Sequence, residues 1–511
     1  MTARALMVLG TASHAGKSLT VAALCRILRQ DGFDVAPFKA QNMALNSFAT
    51  REGHEIGRAQ AMQAQAAGIE PHVDMNPILL KPMSDVGSQV VLNGKVFGNY
   101  SAVDYYKLKP QLLDAVSAAY HRLAARHEII VLEGAGSPVE INLKDRDIVN
   151  MKMAEIADAA CMLVTDIDRG GVFASLVGTY ALLDPQERER FRGFLINKFR
   201  GDASLFEPGI DYLEKRLSQT CLGVIPYLHN HGIDDEDSVS LERLAVRPPP
   251  ASEDKLCVCV VRLPYLSNFT DFTALEALPD VVVYYTRRPE EARPADVLIL
   301  PGSKNTIPDL LWLRANGWQE AIETHVASGK PLAGICGGFQ MLGSEIRDPH
   351  RTESGVEAVS GLNLLDVVTT LAPEKVTRQA TARLSNPSSL GEGGEDAVFT
   401  GYEIHLGETL LGAGSRPLFR LRRLDDVESR DDGAIDDAGK VLGAYLHGLF
   451  DSPGGSTLLL SHWRRICGKR GINSKAIDPM AEREKRYDAL AEHYRRNLKM
   501  DVVHRALEVQ R

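Results

Sequence analysis

Short apolar runs that end in Gly, Asp or Asn alternate with helix-like segments along the first half of the chain. The runs are ALMVLG (5–10), DVAPF (34–38), EIIVLEG (128–134), AACMLVTD (159–166) and GFLINK (193–198). Strands that are apolar on both faces are typical of a parallel sheet covered by helices on both sides. The pattern restarts after residue 255 with LCVCVVRLP, DVVVYY, DVLILPG and PLAGICGG. We therefore predict an α/β fold made of two doubly wound domains.

Three successive prolines predict the boundary between these domains. They lie in RPPPASEDK at 247–255, where they are followed by charged residues, and this composition is typical of a linker. The predicted organisation is a first domain at 1–246, the linker, a second domain at 256–455 and a helical tail at 456–511. Within the second domain, the acidic segment 423–440 is predicted to be a solvated hairpin or loop.

Composition narrows the class of partner. The 511 residues carry a formal net charge of −9. We therefore expect no nucleic acid and no membrane among the partners, because both require a basic surface. The chain lacks an apolar run of about 18 residues, so no transmembrane helix is predicted. The seven cysteines contain no CxxC pair, which is typical of a reduced, cytoplasmic protein.

A phosphate-binding loop is predicted in GTASHAGKS (10–18), between the first strand and the first helix. Loop N–H groups and the helix N-terminus favour phosphate, the Lys17 ammonium adds positive charge, and the Ser18 hydroxyl is a candidate Mg²⁺ ligand. The loop is one residue longer than the usual motif, because Thr11 stands where that motif has its first Gly. The alternative is a polar turn that caps a helix. The candidate nucleotide-binding residues in the loop are Thr11, Gly16, Lys17 and Ser18.

Polar residues that follow neighbouring strands are candidate partners of this loop, because ligands bind at the carboxyl edge of a parallel sheet. Glu133 and Asp166 are candidate Mg²⁺ ligands together with Ser18. Asn197 is a candidate for recognition of the nucleotide base. The alternative is that the two carboxylates are caps and that Asn197 forms a turn.

A cysteine between glycines lies where an apolar run meets a helix-like run, in AGICGGFQML (333–342). Such a turn holds a nucleophile at a strained elbow, and the glycines allow the backbone to bend and a substrate to approach. Cys336 is therefore predicted to be a thiol nucleophile, and the Gly337 N–H is predicted to face a developing oxyanion. The alternative is a buried, inert cysteine.

A thiol nucleophile requires a base from elsewhere in the chain. His447 in AYLHGLF (444–450) follows an apolar run and is the candidate. The glycine loop LILPGSKNT (298–306) offers the second oxyanion donor, at Gly302 or Ser303.

Residues 330–343 and 441–450 resemble the class I glutamine amidotransferase domain, a flavodoxin-like fold whose Cys and His release ammonia from glutamine. Most domains of this class carry Glu two residues after the His, and here that position is Leu449. In this respect the chain resembles the cobyrinic-acid branch of the superfamily. The group that orients the His stays open between backbone alone, Glu403 and Glu408.

The first half resembles the dethiobiotin-synthetase-like enzymes, P-loop NTPase-like proteins that activate carboxylates with ATP. That family has the same lengthened phosphate loop and an E-G-A-G strand end. Over nearly its whole length, the chain resembles the cobyric acid synthase family. The stretches that carry this resemblance are FKAQNMALNS (38–47), MNPILLKP (75–82), EGAGSPVEINL (133–143), TDIDRGGVFAS (165–175), NKFRGD (197–202), RLPYLSNFTDF (262–272) and LPGSKNTIPDL (300–310).

The resemblance implies an ATP- and glutamine-dependent ligase that amidates four carboxylates of adenosylcobyrinic acid a,c-diamide. It implies ATP and Mg²⁺ as cofactors, and L-glutamine and the corrinoid as substrates. An anionic corrinoid requires local cations and hydrogen-bond donors, although each basic candidate also suits an ordinary surface salt bridge. The candidates in the matching stretches are Lys39, Gln41, Asn42, Asn46, Lys81 and Arg146. The competing hypotheses are cobyrinic acid a,c-diamide synthase and a partitioning ATPase with a non-catalytic amidotransferase fold.

Overall fold

The computed structural model describes residues 3–84, 87–229, 231–233, 254–470 and 478–509. The strands, in chain order, are β1 (Arg4–Gly10), β2 (Val35–Phe38), β3 (Gln41–Met43), β4 (Ser47–Ala49), β5 (Glu55–Gly57), β6 (Ile78–Ser84), β7 (Gly87–Leu92), β8 (Lys95–Ser101), β9 (Ile129–Glu133), β10 (Ala160–Asp166), β11 (Phe191–Phe199), β12 (Cys221–Pro226), β13 (Leu256–Val261), β14 (Val281–Thr286), β15 (Val297–Leu300), β16 (Leu332–Ile335), β17 (Glu345–Arg347), β18 (Ala358–Ser360), β19 (Val367–Leu384), β20 (Phe399–Leu411), β21 (Phe419–Arg423), β22 (Arg430–Asp432), β23 (Ala434–Ile435) and β24 (Val441–Ala444).

The α-helices follow the same chain order. They are α1 (Lys17–Gln30), α2 (Arg58–Ala66), α3 (Ala102–Ala124), α4 (Met151–Ile156), α5 (Val172–Leu182), α6 (Pro185–Arg188), α7 (Glu207–Leu217), α8 (Thr273–Glu276), α9 (Thr306–Ala315), α10 (Trp318–Ala327), α11 (Gly337–Leu342), α12 (Pro453–Cys467), α13 (Pro479–Asn497) and α14 (Met500–Ala506). No helix in these described ranges combines the length and apolarity needed to cross a bilayer.

The chain forms two compact units. Unit 1 contains residues 1–44, 56–233 and 483–511, and unit 2 contains residues 45–55 and 234–482. The sequence assigned the hairpin segment 45–55 to the first domain and the residues from 483 onward to a separate tail. In the structure the hairpin segment belongs to unit 2, and the C-terminal helices from 483 onward belong to unit 1. The predicted linker at 247–255 lies, except for its last two residues, outside the described residues.

A parallel sheet in the order β12-β11-β10-β1-β9-β2 forms the centre of unit 1. The five apolar runs of the first half coincide with β1, β2, β9, β10 and β11 to within a few residues, because burial on both faces demands continuous apolar sequence. The chain leaves β1 in the middle of this sheet, between β9 and β10. Such a position is where doubly wound sheets bind ligands, at the carboxyl ends of the strands.

Further elements complete unit 1. The smaller sheet β3-β6-β7-β8 was not predicted, since its strands are partly polar and lack a continuous apolar run. The C-terminal helices pack against α1, where the Tyr494 hydroxyl lies 3.1 Å from the Thr20 hydroxyl. Arg495 and His504 both pair with the carboxylate of Asp31, at 3.0 and 3.1 Å. The two C-terminal helices are thereby fixed to α1 of unit 1.

A second parallel sheet lies in unit 2, in the order β14-β13-β15-β16-β24, with β23 added antiparallel at the edge. The predicted fold class, two doubly wound α/β domains, is confirmed. Cys257 and Cys259 are buried in β13, and all seven cysteines are free.

A mixed sheet in the order β18-β17-β19-β21-β22, with β20 also paired to β19, completes unit 2. The acidic segment 423–440 contributes the hairpin between β21 and β22. Its tip is solvated, with Val427 93% exposed, whereas Ala434 and Ile435 beyond it are buried. The hairpin predicted for this segment is therefore present, and its second half joins the core.

Candidate active site

The loop between β1 and α1 has the shape of a phosphate cradle. Gly16 has φ 102°, and a Cβ there would lie 1.9 Å from Asn197 Nδ2, so the position requires glycine. Lys17 Nζ donates to the carbonyl oxygens of Ala12 at 2.9 Å and Gly136 at 3.1 Å. The Thr11 hydroxyl donates to the Thr165 hydroxyl at 3.1 Å. The loop is thus tied to the ends of the neighbouring strands.

Asn197 braces this loop from β11. Its Nδ2 donates to the Ala15 carbonyl at 2.9 Å, and its Oδ1 accepts from the Lys198 N–H at 2.9 Å. The structure therefore brings Asn197 to the phosphate loop, as the sequence predicted. Both polar atoms of its side chain contact protein groups, and recognition of the base stays a prediction.

The buried carboxylate of Glu133 is the polar centre beside the loop. Its Oε1 accepts from the Ser18 hydroxyl at 2.8 Å and from Lys39 Nζ at 2.9 Å. Its Oε2 accepts from Gln63 Nε2 at 2.6 Å. The charge of Glu133 is thus paired and hydrogen-bonded, which a carboxylate 1% exposed requires. Ser18 and Glu133 present adjacent hard oxygen donors, and such donors fit Mg²⁺.

Asp166, the third predicted metal ligand, ends β10 and has basic neighbours. Its Oδ2 accepts from Lys198 Nζ at 2.8 Å, and Arg169 Nε lies 3.9 Å away. Lys198 Nζ also donates to the His14 carbonyl of the phosphate loop at 2.5 Å. The structure therefore brings Ser18 and Glu133 together, whereas Asp166 engages a lysine that contacts the loop.

The candidate substrate residues have different surroundings. Lys39 lies at Glu133, and Lys81 is buried on β6. The remaining contacts are Gln41 Oε1 with the Tyr105 hydroxyl at 2.6 Å, Asn42 Nδ2 with Gln60 Oε1 at 2.9 Å, and Arg146 with the Tyr106 carbonyl at 3.0 Å. Asn46 belongs to unit 2, where its Oδ1 accepts from the Phe269 N–H at 3.2 Å.

Cys336 lies in unit 2 at the turn between β16 and α11. It has φ 52° and ψ −109°, a conformation that is strained for a residue with a side chain. The neighbouring glycines allow close approach of the backbone. A Cβ on Gly334 would lie 2.7 Å from the Gly338 carbonyl oxygen, and one on Gly338 would lie 2.0 Å from the Leu300 carbonyl oxygen. This is the elbow geometry that the sequence predicted.

His447 interacts with the Cys336 thiol, whose sulfur donates to the Ile404 carbonyl oxygen at 3.4 Å, and the imidazole is held by Asp271. Its Nδ1 lies 2.7 Å from Asp271 Oδ2, and Asp271 Oδ1 accepts from the Gly448 N–H at 3.1 Å. Burial would lower the pKa of His447, but the charge and hydrogen bond of Asp271 outweigh it and, with Cys336, raise the pKa to about 10. These residues form a Cys–His–Asp arrangement.

The two carboxylates that the sequence left open for orienting His447 have other surroundings. Glu403 accepts hydrogen bonds from His405 at 3.2 Å, Arg423 at 2.8 Å and Arg430 at 2.5 Å. Burial alone would raise the pKa of Glu403, but these partners lower it to about 2. Glu408 is exposed. Sequence reasoning missed Asp271, and its only signal was a carboxylate within the apolar-rich stretch SNFTDF.

The turn after Cys336 packs closely against the glycine loop that the sequence offered for the second oxyanion donor. Gly337 begins α11 directly after Cys336, and a Cβ there would lie 2.9 Å from the Ser303 nitrogen. A Cβ on Gly302 would lie 3.2 Å from His447 Cε1, so the glycine loop lines the same site. The sequence left the second oxyanion donor open between Gly302 and Ser303. Of these two, the Ser303 nitrogen is the one that lies close to Gly337.

Two family models match the chain. Residues 6–237 match the CobQ/CobB/MinD/ParA nucleotide binding domain, and residues 257–455 match the CobB/CobQ-like glutamine amidotransferase domain. The residues of the two sites described above all lie within these matches, and Asn46 falls in the first match although it belongs to unit 2.

Proteins named cobyric acid synthase are similar over the whole chain. One from Syntrophobacter fumaroxidans is 50% identical over 508 residues, which is 99% of each chain. One from Photorhabdus laumondii is 48% identical over 515 residues, covering 99% of this chain and 98% of that one. One from Desulforamulus reducens is 46% identical over 508 residues, with the same coverage.

Proposed function

We propose that this protein converts adenosylcobyrinic acid a,c-diamide into adenosylcobyric acid. The chain belongs to the cobyric acid synthase family. The reaction amidates the b, d, e and g carboxylates, and ATP and glutamine are consumed for each amide. It is a cytoplasmic step of adenosylcobalamin biosynthesis. The observation that carries the proposal is the Cys336–His447–Asp271 arrangement in the same chain as a phosphate cradle with a buried carboxylate.

Activation of the carboxylate is assigned to unit 1. A carboxylate is a poor acceptor for ammonia, because hydroxide is a poor leaving group. In the proposed step a corrinoid carboxylate oxygen attacks the γ-phosphorus of ATP, ADP leaves, and an acyl phosphate forms. Ammonia then attacks the acyl carbon, phosphate leaves with the bonding electron pair, and the nitrogen loses a proton.

The residues of unit 1 supply charge and position for this step. Lys17 lies in the cradle and would neutralise the transferred phosphoryl group. Ser18 and Glu133 would hold Mg²⁺, which supplies further positive charge to the phosphates. Lys39 Nζ, which lies 2.9 Å from Glu133 Oε1, would attract the carboxylate that attacks. The site therefore fits an anionic acceptor beside a nucleotide.

Release of ammonia is assigned to unit 2. The Cys336 thiol gives its proton to His447 as its sulfur attacks the glutamine amide carbon, and the N–H groups of Gly337 and of the 302–303 loop stabilise the oxyanion. His447 donates the proton that lets ammonia leave, and a water then hydrolyses the thioester to glutamate. Asp271 keeps the imidazole in the orientation and protonation that these transfers need.

Mass spectrometry of the corrinoid tests the proposal. The protein is incubated with ATP, Mg²⁺, adenosylcobyrinic acid a,c-diamide and glutamine that carries ¹⁵N in its amide. We expect successive incorporation of four labelled nitrogens. Four of the acids that remain in the diamide become amides, and a single acid stays free. Conversion of unamidated cobyrinic acid to its diamide, with no change of the diamide itself, would support the rival synthase. ATP hydrolysis without any change of corrinoid would overturn both.

The variant Cys336→Ala is the matched control. It removes the nucleophile and leaves the phosphate site intact, so amidation with glutamine should stop and amidation with added ammonia should continue. Loss of both would assign Cys336 a role in folding rather than in glutamine hydrolysis.

A further inference from the structure

A hairpin from the first half of the sequence is part of unit 2. Residues 45–55 lie inside the match to the nucleotide binding domain, yet they belong to the compact unit that contains Cys336. The hairpin is closed by the Thr50 N–H, which donates to the His54 carbonyl at 2.7 Å, and by the Gly53 N–H, which donates to the Thr50 carbonyl at 3.0 Å. The amidotransferase unit thus includes a segment outside its family match at 257–455.

The hairpin is hydrogen-bonded to the loop that carries Asp271. Asn268 Nδ2 donates to the Ser47 carbonyl at 3.2 Å, and the Ser47 N–H donates to Asn268 Oδ1 at 3.3 Å. The Phe269 N–H donates to Asn46 Oδ1 at 3.2 Å. Asn46, Ser47 and Asn268 are each at most 3% exposed, and buried polar groups need such partners.

These contacts fix the start of the turn that holds the acid. Asn268 has the left-handed φ of 53° and directly precedes the 3-10 helix Phe269–Phe272. The Asp271 N–H donates to the Asn268 carbonyl at 3.0 Å. The position of the Asp271 carboxylate, 2.7 Å from His447, therefore depends on a turn whose first residue is bonded to Ser47.

Tyr402 gives a second connection from Ser47 to His447. Its hydroxyl donates to the Ser47 carbonyl at 3.3 Å and accepts from Asn268 Nδ2 at 3.1 Å. Its ring stacks on the His447 imidazole, with centroids 5.4 Å apart and planes 19° apart. Phe48 packs against the Tyr402 ring at 5.1 Å. The imidazole is thus held by two groups, and both are anchored to the hairpin.

We propose that Asn46, Ser47 and Phe48 form a positioning element for the glutaminase base His447, acting through Asn268 and Tyr402. They act on His447 through other side chains, so they are positioning residues and not catalytic ones. The inference rests on the proposed hydrolysis of glutamine. It adds that this hydrolysis requires a segment from the sequence of the nucleotide-binding half of the chain.

Three variants of the full-length protein test the element. Asn46→Ala removes the acceptor of the Phe269 N–H. Asn268→Gly keeps the left-handed backbone and removes the amide that bonds Ser47. Tyr402→Phe keeps the stacked ring and removes only the hydroxyl. We expect each to lower kcat for glutamate release by about tenfold or more with KM for glutamine nearly unchanged, because small displacements of a catalytic group reduce rate steeply.

A conservative variant and a control separate positioning from folding. Asn46→Asp retains an oxygen acceptor and should restore most of the rate. Asn386→Ala removes the same kind of bond at an exposed site, where Asn386 Oδ1 accepts from the Ser388 N–H at 3.2 Å, and should change kcat by less than about twofold. ATP turnover with added ammonia should also stay within about twofold, since it does not use His447.

The rate of Cys336 alkylation by iodoacetamide, measured against pH, is the readout that a merely structural role would not move. The profile reports the thiol–imidazole pair, so we expect the three variants to shift it relative to wild type and Asn386→Ala. Wild-type kcat and an unchanged profile in the variants would overturn the proposal. The proposal would also be overturned if Asn386→Ala lowered kcat as much as the three variants do. A loss of kcat in Asn46→Ala that Asn46→Asp does not restore would have the same consequence.

Glutamate release and Cys336 alkylation need no corrinoid. Failure of corrinoid amidation would therefore count against the proposed function and leave the test of the positioning element standing. If one variant unfolds below the assay temperature, the other two address the same anchor at Ser47, and wild-type behaviour of both would still contradict the proposal.

Discussion

His447 Nδ1 lies 2.7 Å from Asp271 Oδ2, although 176 residues separate the two along the chain. Both side chains are buried, so the interaction takes place where charges are weakly screened. The position two residues after the histidine, where most class I amidotransferases carry the acid, holds the buried Leu449. In this chain the carboxylate beside the histidine comes from the 3-10 helix Phe269–Phe272, which precedes Cys336 in the sequence.

Replacement of Asp271 by Asn should reduce glutamine hydrolysis. The amide keeps the size of the side chain but removes the charge that favours the imidazolium and offers the wrong group to Nδ1. We expect kcat for glutamate release to fall about 10²- to 10⁴-fold, the range found when an orienting acid or acid–base group is lost. Ammonia-dependent ATP turnover should continue.

The control for this variant is Asp431→Asn, which changes a half-exposed carboxylate paired with Arg420 at 2.8 Å. It should leave glutamate release within about twofold of wild type, since exposed ion pairs contribute little. Wild-type glutaminase activity in Asp271→Asn would remove Asp271 from the mechanism.

The raised pKa of His447 predicts a pH-dependent contribution to stability. Its folded value of about 10 lies above the ordinary value of 6.5, so protonation favours the folded state. The contribution is fully present below pH 6.5 and is lost as the pH rises towards 10. The difference in Tm between wild type and His447→Gln should therefore be larger at pH 6 than at pH 10. A difference that grows with pH would contradict the assignment of the raised pKa.

The parallel strands could be predicted from sequence, whereas Asp271 and the hairpin could not. A strand such as β10 is buried on both faces. Such a strand requires a continuous run of apolar residues, which can be recognised in the sequence. The role of Asp271 depends on which distant loop packs against His447. Residues 45–55 follow β3 closely in sequence, but their partners Asn268 and Tyr402 lie more than two hundred residues away. Contacts between residues so far apart produce no periodic pattern in the sequence.

The candidate phosphate site also combines residues that the sequence predicted with a residue that it did not predict. The glycine, lysine and serine of the loop follow from a local motif, and the strand ends predicted Glu133 beside them. Gln63, which donates to Glu133 Oε2 at 2.6 Å, had no sequence signal because it lies in the middle of α2 among alanines. The mixed sheet of unit 2 was also not predicted, since its strands combine exposed charged residues with an incomplete alternation.

Replacement of Glu133 by Gln should impair ATP use and spare the thiol. The amide removes the charge that pairs with Lys39 and that would hold Mg²⁺ beside Ser18. We expect ammonia-dependent amidation to fall about 100-fold or more and the Mg²⁺ concentration for half-maximal rate to rise, since charge stabilisation of this kind is worth several kcal/mol. Glu155→Gln, at an exposed helix position paired with Lys152, is the control. An unchanged Mg²⁺ requirement would remove Glu133 from the metal site.

Replacement of Gly16 by Ala should weaken nucleotide binding, and the chain contains a matched comparison. Gly16 and Gly32 have nearly equal φ, 102° and 97°, so Ala carries a similar backbone cost at both, about 1–2 kcal/mol. A Cβ at Gly32 would meet nothing within 4 Å, whereas one at Gly16 would lie 1.9 Å from Asn197 Nδ2. Both variants should lose a similar Tm from strain. Only Gly16→Ala should raise the Kd for ATP, by about tenfold or more, because the clash displaces the loop from Asn197. Isothermal titration calorimetry measures the Kd for ATP in each variant, and thermal denaturation measures the Tm. Equal affinities in the two variants would show that Asn197 does not shape the cradle.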